Sequence, residues 1–145
     1  MMSGATTAQA VANRLRAGEG PTRVFGIMLD DIGAGFATLS MVLGDEALNG
    51  FGAAHGGVLF TLADTAFAYA CNSRNVATVA QSATIAFLSP GRAGERIVAT
   101  ATEVAVVGRS GIYQVIVSGD DDRVIATFQG VSRATGGTVL FQDQG

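Results

Sequence analysis

Apolar positions recur at helical spacing near the start of the chain, where Ala8, Val11, Ala12 and Leu15 predict a short amphipathic helix. Gly18, Gly20 and Pro21 are expected to end it. Residues 23–43 read as extended. Within them FATLSMVL alternates, placing Ala37, Leu39, Met41 and Leu43 on one face and Phe36, Thr38, Ser40 and Val42 on the other. A glycine-rich loop occupies 49–57. Residues 58–72 then contain neither Gly nor Pro, are rich in Ala and Leu, and are apolar on nearly every side, which predicts a buried helix.

After Asn75 the period falls to two. The runs VATVAQSATIAFL, RIVATATEVAVV, IYQVIVS and RVIATFQGVSR are rich in Val, Ile and Thr, and SPGRAGE, GRSG and GDDD punctuate them as turns. Four consecutive strands joined by short loops predict an antiparallel sheet, and runs beyond the usual ~5 to 6 residues need to curve. The expectation is an α+β fold in which a long curved sheet wraps one central helix. A single domain spans 1–145, with a helical extension at 1–22 and a tail at 138–145.

Composition adds a second expectation. Charged residues make up 14% of the 145, against about 25% in a typical soluble domain, and 48% are hydrophobic. So little charge predicts that one chain hides surface against another. The formal charge of −3, with all nine basic residues arginine, offers no basic footprint for nucleic acid. No apolar run approaches the ~20 residues of a membrane span, and Arg14 and Arg16 interrupt anything like a secretory signal. A single cysteine fits a reducing compartment, so the cytoplasm is the expected location.

The buried helix carries one anomaly. No charged residue lies between Glu46 and Asp64, or between Asp64 and Arg74. A carboxylate among Phe60, Phe67 and Cys71 is costly unless it is paired or used. The alternatives are an arginine partner or a solvent-facing position. His55, the only histidine, precedes Gly56 and Gly57. These glycines let a ligand approach the backbone, and their N–H groups fall in the first helical turn, which lacks internal acceptors. Such a turn suits a phosphate or polarises a carbonyl oxygen; a tight loop with a structural histidine is the plainer alternative. Asn49 either fixes the loop or orients a water.

Several other sites are excluded. GFGAAH has His where a dinucleotide fingerprint needs its third glycine. One His and one Cys do not make a usual zinc site. GRSGI lacks the second glycine of a nucleophile elbow, and Cys71 lies toward the wrong helix end for a stabilised thiolate. Gly56 and Asp64 are eight residues apart, about 12 Å along a helix axis, whereas a base must sit within a few Å of the carbonyl it serves. Two antiparallel helices from two chains satisfy that requirement; one helix does not.

The motif NGFGAAHGGVLFTLADTAFAYACNS, followed by ATIAFLSPGRAGERIVATATEV and GRSGIYQVIV, resembles the hotdog-fold acyl-CoA thioesterases. More narrowly it resembles their phenylacetate-degradation group, over about residues 24 to 135. The resemblance implies a helix wrapped in a curved sheet, a homodimer with a continuous sheet, and a homotetramer of two such dimers. It implies hydrolysis of aryl-acyl-CoA, such as phenylacetyl-CoA or a ring-hydroxylated analogue, without cofactor or metal. By the same resemblance Asp64 is nucleophile or general base, and Gly56 donates its N–H to the thioester oxygen. His55 and Asn49 position the thioester or hold the loop, and Thr65 lines the site. Arg92, Arg109 and Gly57 are candidates for binding CoA, the two arginines sitting in turns from which a guanidinium reaches phosphate. A non-catalytic acyl-CoA binder or sensor, and a thioester hydratase, are the competing functions on this fold.

Overall fold

The computed structural model describes residues 3–141, so the first two positions of the expected extension and the last four of the expected tail lie outside the described residues. The order is α1 (Gly4–Gly18), α2 (Gly20–Val24), β1 (Met28–Gly33), β2 (Phe36–Val42), α3 (Gly56–Asn72), β3 (Thr78–Phe87), β4 (Arg96–Val107), β5 (Ser110–Ser118) and β6 (Val124–Ala134). A single 3-10 turn, Asp45–Ala47, follows β2. No helix is long and apolar enough to cross a membrane among the described residues.

The start of the chain differs from expectation. Gly18 does end α1, but Gly20 and Pro21 open α2 rather than closing a helix. Proline suits a first helical turn, where its missing N–H would have no acceptor. The extended stretch begins later than 23, because Arg23 and Val24 close α2, and it forms two strands. Gly35, at φ +79°, turns β1 into β2 within two residues, and the alternation of β2 buries Ala37, Leu39 and Met41, with Leu43 beyond it.

The six strands form one sheet in the order β1-β2-β4-β5-β6-β3, with every neighbouring pair antiparallel. The last three strands make the expected meander. SPGRAGE, however, is a crossover and not a hairpin, because β3 pairs with β6 while β4 pairs with β2. Period two reports which face of a strand is buried and says nothing of its neighbour.

α3 packs on all six strands and on α1. Leu62, Ala63, Ala66, Phe67 and Tyr69 are fully buried against Leu39, Ile97, Ala99, Val115, Val117 and Phe128. Each large apolar side chain removed from water contributes about 1.5–3 kcal/mol, so wrapping this helix is the principal driving force. Phe67 sets the closest approach: its ring stacks edge-on to Tyr113 at 5.6 Å and tilts against Phe128 at 5.8 Å. Gly130 of β6 lies directly over that ring, leaving no room for a side chain.

Along β4 the inward residues Ile97, Ala99 and Ala101 are buried. A bulge at Glu103–Ala105 then lets the strand run on past the helix. At the sheet's other end β3 is an open edge, exposed along nearly its whole length, with Val79 and Phe87 each 54% accessible.

A Cβ on Gly130 would stand 2.6 Å from the Phe67 ring, and that ring is itself packed against Tyr113 and Phe128. Gly130→Ala is therefore expected to cost about 1–3 kcal/mol, as overpacked cores do. A lower urea midpoint with an unchanged slope is the predicted result, and an unaltered midpoint would mean that the ring yields.

Candidate active site

The glycine-rich loop is held by Asn49. Its Oδ1 accepts from the N–H groups of Phe51 (2.9 Å) and Ala53 (3.1 Å), and its own N–H donates to the Ala53 carbonyl at 2.7 Å. His55 stands next as the N-cap of α3, its Nδ1 accepting from the Gly57 N–H at 2.9 Å. The histidine thus occupies one of the two glycine donors. The Gly56 N–H has no acceptor among the described residues and opens into a cleft with Asn49, Leu59, Phe87, Leu88 and Pro90. A Cβ at position 56 would stand 3.1 Å from the Phe87 ring, so a side chain there would crowd that ring at the open backbone.

The crossover loop supports this entrance. Gly91 packs so tightly that a Cβ would lie 2.8 Å from that of Ala54, and its carbonyl accepts from the Ala54 N–H. The loop is tied down by buried Glu95, which accepts from the N–H groups of Arg92 and Asp120, while both its oxygens accept from one Arg123 guanidinium nitrogen. Burial alone would push its carboxyl up. The Arg92 N–H, the Arg123 guanidinium and Asp120 outweigh that and hold it at about 2.

Asp64 lies two turns into α3 on the helix face left partly open by the sheet. It forms no ion pair among the described residues, so the arginine-paired alternative is not what the fold builds. It lines a cleft of about 310 Å³ with Glu19, Pro21, Phe60, Thr61, Thr65 and Ala68. Burial in this cleft raises its carboxyl above the ordinary aspartate range, making it a better base while leaving it open to a ligand. Thr65 borders the same space, but its hydroxyl is committed to the Thr61 carbonyl at 2.6 Å. Among the aromatic residues of α3, Phe60 lines the cleft, whereas Phe67 and Tyr69 belong to the core.

Gly56 and Asp64 therefore open into separate clefts of one chain. The arginines part company too. Arg92 sits beside the glycine loop, bridged to Ala53 and 3.7 Å from Asp121. Arg109 lines a hollow at the opposite end of α3 with Cys71, Arg74 and Tyr113. Cys71 is a core residue whose thiol burial pushes up to about 12.

Glu19 borders the Asp64 cleft, and sequence reasoning does not single it out. It is the C-cap of α1 and the N-cap of α2, and it reaches the Asp64 cleft from a segment that reads only as a helical extension. A signal exists: Glu19 is the sole acidic residue before Asp30, as isolated in its segment as Asp64 is in α3.

A helix wrapped by a six-stranded antiparallel sheet, with an unpaired carboxylate on its open face and a free N–H at its start, defines the hotdog class. A family model for the Thioesterase superfamily matches residues 51–126. The chain is 42% identical over 117 residues to the Escherichia coli K12 "Acyl-coenzyme A thioesterase PaaI", covering 81% of this chain and 84% of that protein. The solved Escherichia coli PaaI protein from the phenylacetic acid degradation operon superposes with a TM-score of 0.91 at 38% identity, over 94% of this chain and 99% of that one. A point mutant of the phenylacetic acid degradation protein PaaI from Thermus thermophilus gives a TM-score of 0.75 at 33% identity, over 78% and 96%. The chain belongs to the thioesterase superfamily.

The raised Asp64 carboxyl has a consequence for stability. The folded state holds that proton more tightly than the unfolded chain, so stability falls as pH rises from about 3.8 through the folded value. Asp64→Asn removes this cost. It is expected to unfold at higher denaturant than the native chain near pH 7, the gain vanishing toward pH 3.8. Equal midpoints at both pH values would show that burial does not strain this carboxylate.

Proposed function

We propose that this thioesterase hydrolyses aryl-acyl-CoA thioesters, phenylacetyl-CoA or its ring-hydroxylated analogues, to free acid and CoA. The observation that carries the reading is the division of the two chemical groups. Asp64 is unpaired in one cleft and the Gly56 N–H is free in another. They serve one carbonyl only if a second chain brings its helix start to this chain's carboxylate. The open edge of β3, with Val79 and Phe87 exposed, supports a homodimer whose sheet continues across that edge, with two sites per dimer. The exposed Val104, Val106 and Val107 of β4 support a further pairing into a homotetramer.

In this reading the Gly56 N–H of one chain donates to the thioester oxygen, where the partial positive end of α3 stabilises developing negative charge. The partner's aspartate at position 64 takes a proton from water as the water oxygen bonds to the carbonyl carbon. The C–S bond then breaks, and the proton passes to the departing thiolate. Direct attack by the carboxylate, giving a mixed anhydride that water opens, uses the same geometry. Asn49 and His55 act by holding the loop and the helix start, and Thr65 by shaping the wall. Arg92 and Arg109 attract the CoA phosphates from the surface, and Gly57 passes close beneath the bound thioester. The similarity to an acyl-coenzyme A thioesterase supports the substrate class, and the single buried cysteine supports a cytoplasmic setting.

The test follows free thiol released from phenylacetyl-CoA. Asp64→Ala and Asp64→Asn are expected to lower kcat by about 10²- to 10⁴-fold, with the dimer retained on sizing. Native-like turnover in both variants would remove Asp64 from the chemistry. Tight ligand binding without turnover by the native protein would favour a sensor.

A further inference from the structure

One wall of the Gly56 cleft belongs to the crossover loop, and a single arginine holds that loop in place. Ser89, Pro90 and Gly91 line the cleft, and each has its own tether. The Ser89 hydroxyl donates to the Val124 carbonyl at 2.7 Å, and the Gly91 carbonyl accepts from the Ala54 N–H at 2.9 Å. Proline has no N–H, so the carbonyl is the one backbone handle of Pro90, and Arg123 Nη2 donates to it at 3.0 Å. The same nitrogen donates to both carboxylate oxygens of Glu95, at 2.9 and 3.1 Å, while Nη1 donates to Asp121 Oδ1 at 2.7 Å. One guanidinium thereby joins both ends of the crossover loop to the turn between β5 and β6.

Stability does not account for this arrangement. The Glu95 side chain is 2% accessible, and a buried ion pair is often matched or bettered by apolar residues of similar volume. Arg123 Nε is also buried without an acceptor among the described residues, which is unfavourable. What a planar guanidinium supplies and an apolar pair does not is direction, through several donors at fixed angles. That direction is passed on to the start of α3. Gly91 follows Pro90, and a Cβ on it would stand 2.8 Å from that of Ala54. Arg92 is bridged to Ala53. Ala54 is followed by His55, the N-cap of the helix that Gly56 begins. A shift of the loop therefore reaches the Gly56 N–H.

From these contacts we propose that Arg123 is a positioning residue, which acts through the crossover loop to fix where the Gly56 N–H points. The inference rests on the reading of that N–H as the donor to the thioester oxygen. Such a donor is effective only when held where charge develops, and a misplacement of about 1 Å can change the rate by about a hundredfold.

The test follows kcat and KM for phenylacetyl-CoA in two variants chosen to keep the fold. Glu95→Leu combined with Arg123→Met replaces the pair by apolar side chains. Arg123→Lys retains a cation for Glu95 without the fork that reaches Pro90 and Asp121 at once. Both are expected to melt near the native temperature and to lose about tenfold to a hundredfold in kcat. KM is expected to change far less, because the donor acts on the transition state. Native-like kcat in the folded double variant overturns the proposal, since a pair that serves stability alone leaves turnover intact. A raised KM at unchanged kcat overturns it too, by placing Arg123 in substrate binding. Should the double variant fail to fold, Arg123→Lys decides by the same two outcomes. Amide exchange over residues 53–57, measured without substrate, separates this question from turnover. Faster exchange in the folded variants upholds the tie to the helix start even if the native protein cleaves no thioester. Native-like exchange there refutes it whatever the substrate proves to be.

Discussion

The fold depends on one requirement: a helix that is apolar on nearly every side has to be surrounded. A single neighbour would leave part of α3 in water, so the sheet curls until all six strands touch it. The other features follow from that closure. Gly130 is where the wrap comes closest, over Phe67. The bulge in β4 is where the strand outruns the helix it covers. The crossover from β3 to β4 passes the mouth of the wrap and forms one wall of the entrance at Gly56. α1 and α2 close the remaining side, which is how Glu19 comes to border the helix face that the sheet leaves open.

Within that enclosure polarity is rationed, and polar groups divide into those with a partner and those without. Glu95 shows the satisfied case. A nearly inaccessible carboxylate is held ionised by a guanidinium and two backbone N–H groups, and it makes the loop beside the entrance rigid. The Arg74–Glu103 pair at 2.6 Å, joined by the Tyr113 hydroxyl, does the same at the far end of the helix. Asp64 and the Gly56 N–H are the contrasting case: each opens into a cleft, yet neither has a protein partner among the described residues of its own chain. In a chain that spends charges so sparingly, these unpartnered groups are the ones the proposed chemistry uses.

Much of this is legible in the sequence. The absence of Gly and Pro over 58–72 marks the helix, and alternation marks the inward faces of β2, β4 and β5, because burial imposes its period directly on residue choice. The isolated carboxylate and the glycine pair are visible for the same reason: each breaks a local pattern. What alternation does not reveal is pairing. β3 joins β6 rather than β4 because strand partners are chosen by the whole wrap, not by the turn that follows. Pro21 is ambiguous because proline both ends one helix and begins the next. That the joint at Glu19 borders the Asp64 cleft is hidden because the two residues are far apart in the chain, and only packing brings them together.

Cys71 has a practical consequence. It is the molecule's sole sulfhydryl, buried at the floor of the hollow beside Arg109, and burial pushes its ionisation up to about 12. At neutral pH the folded catalyst contributes almost no reactive thiolate of its own. Reagents that colour on meeting a mercaptan would therefore see the coenzyme it liberates against a blank background, and any slow rise without substrate would report the chain coming apart.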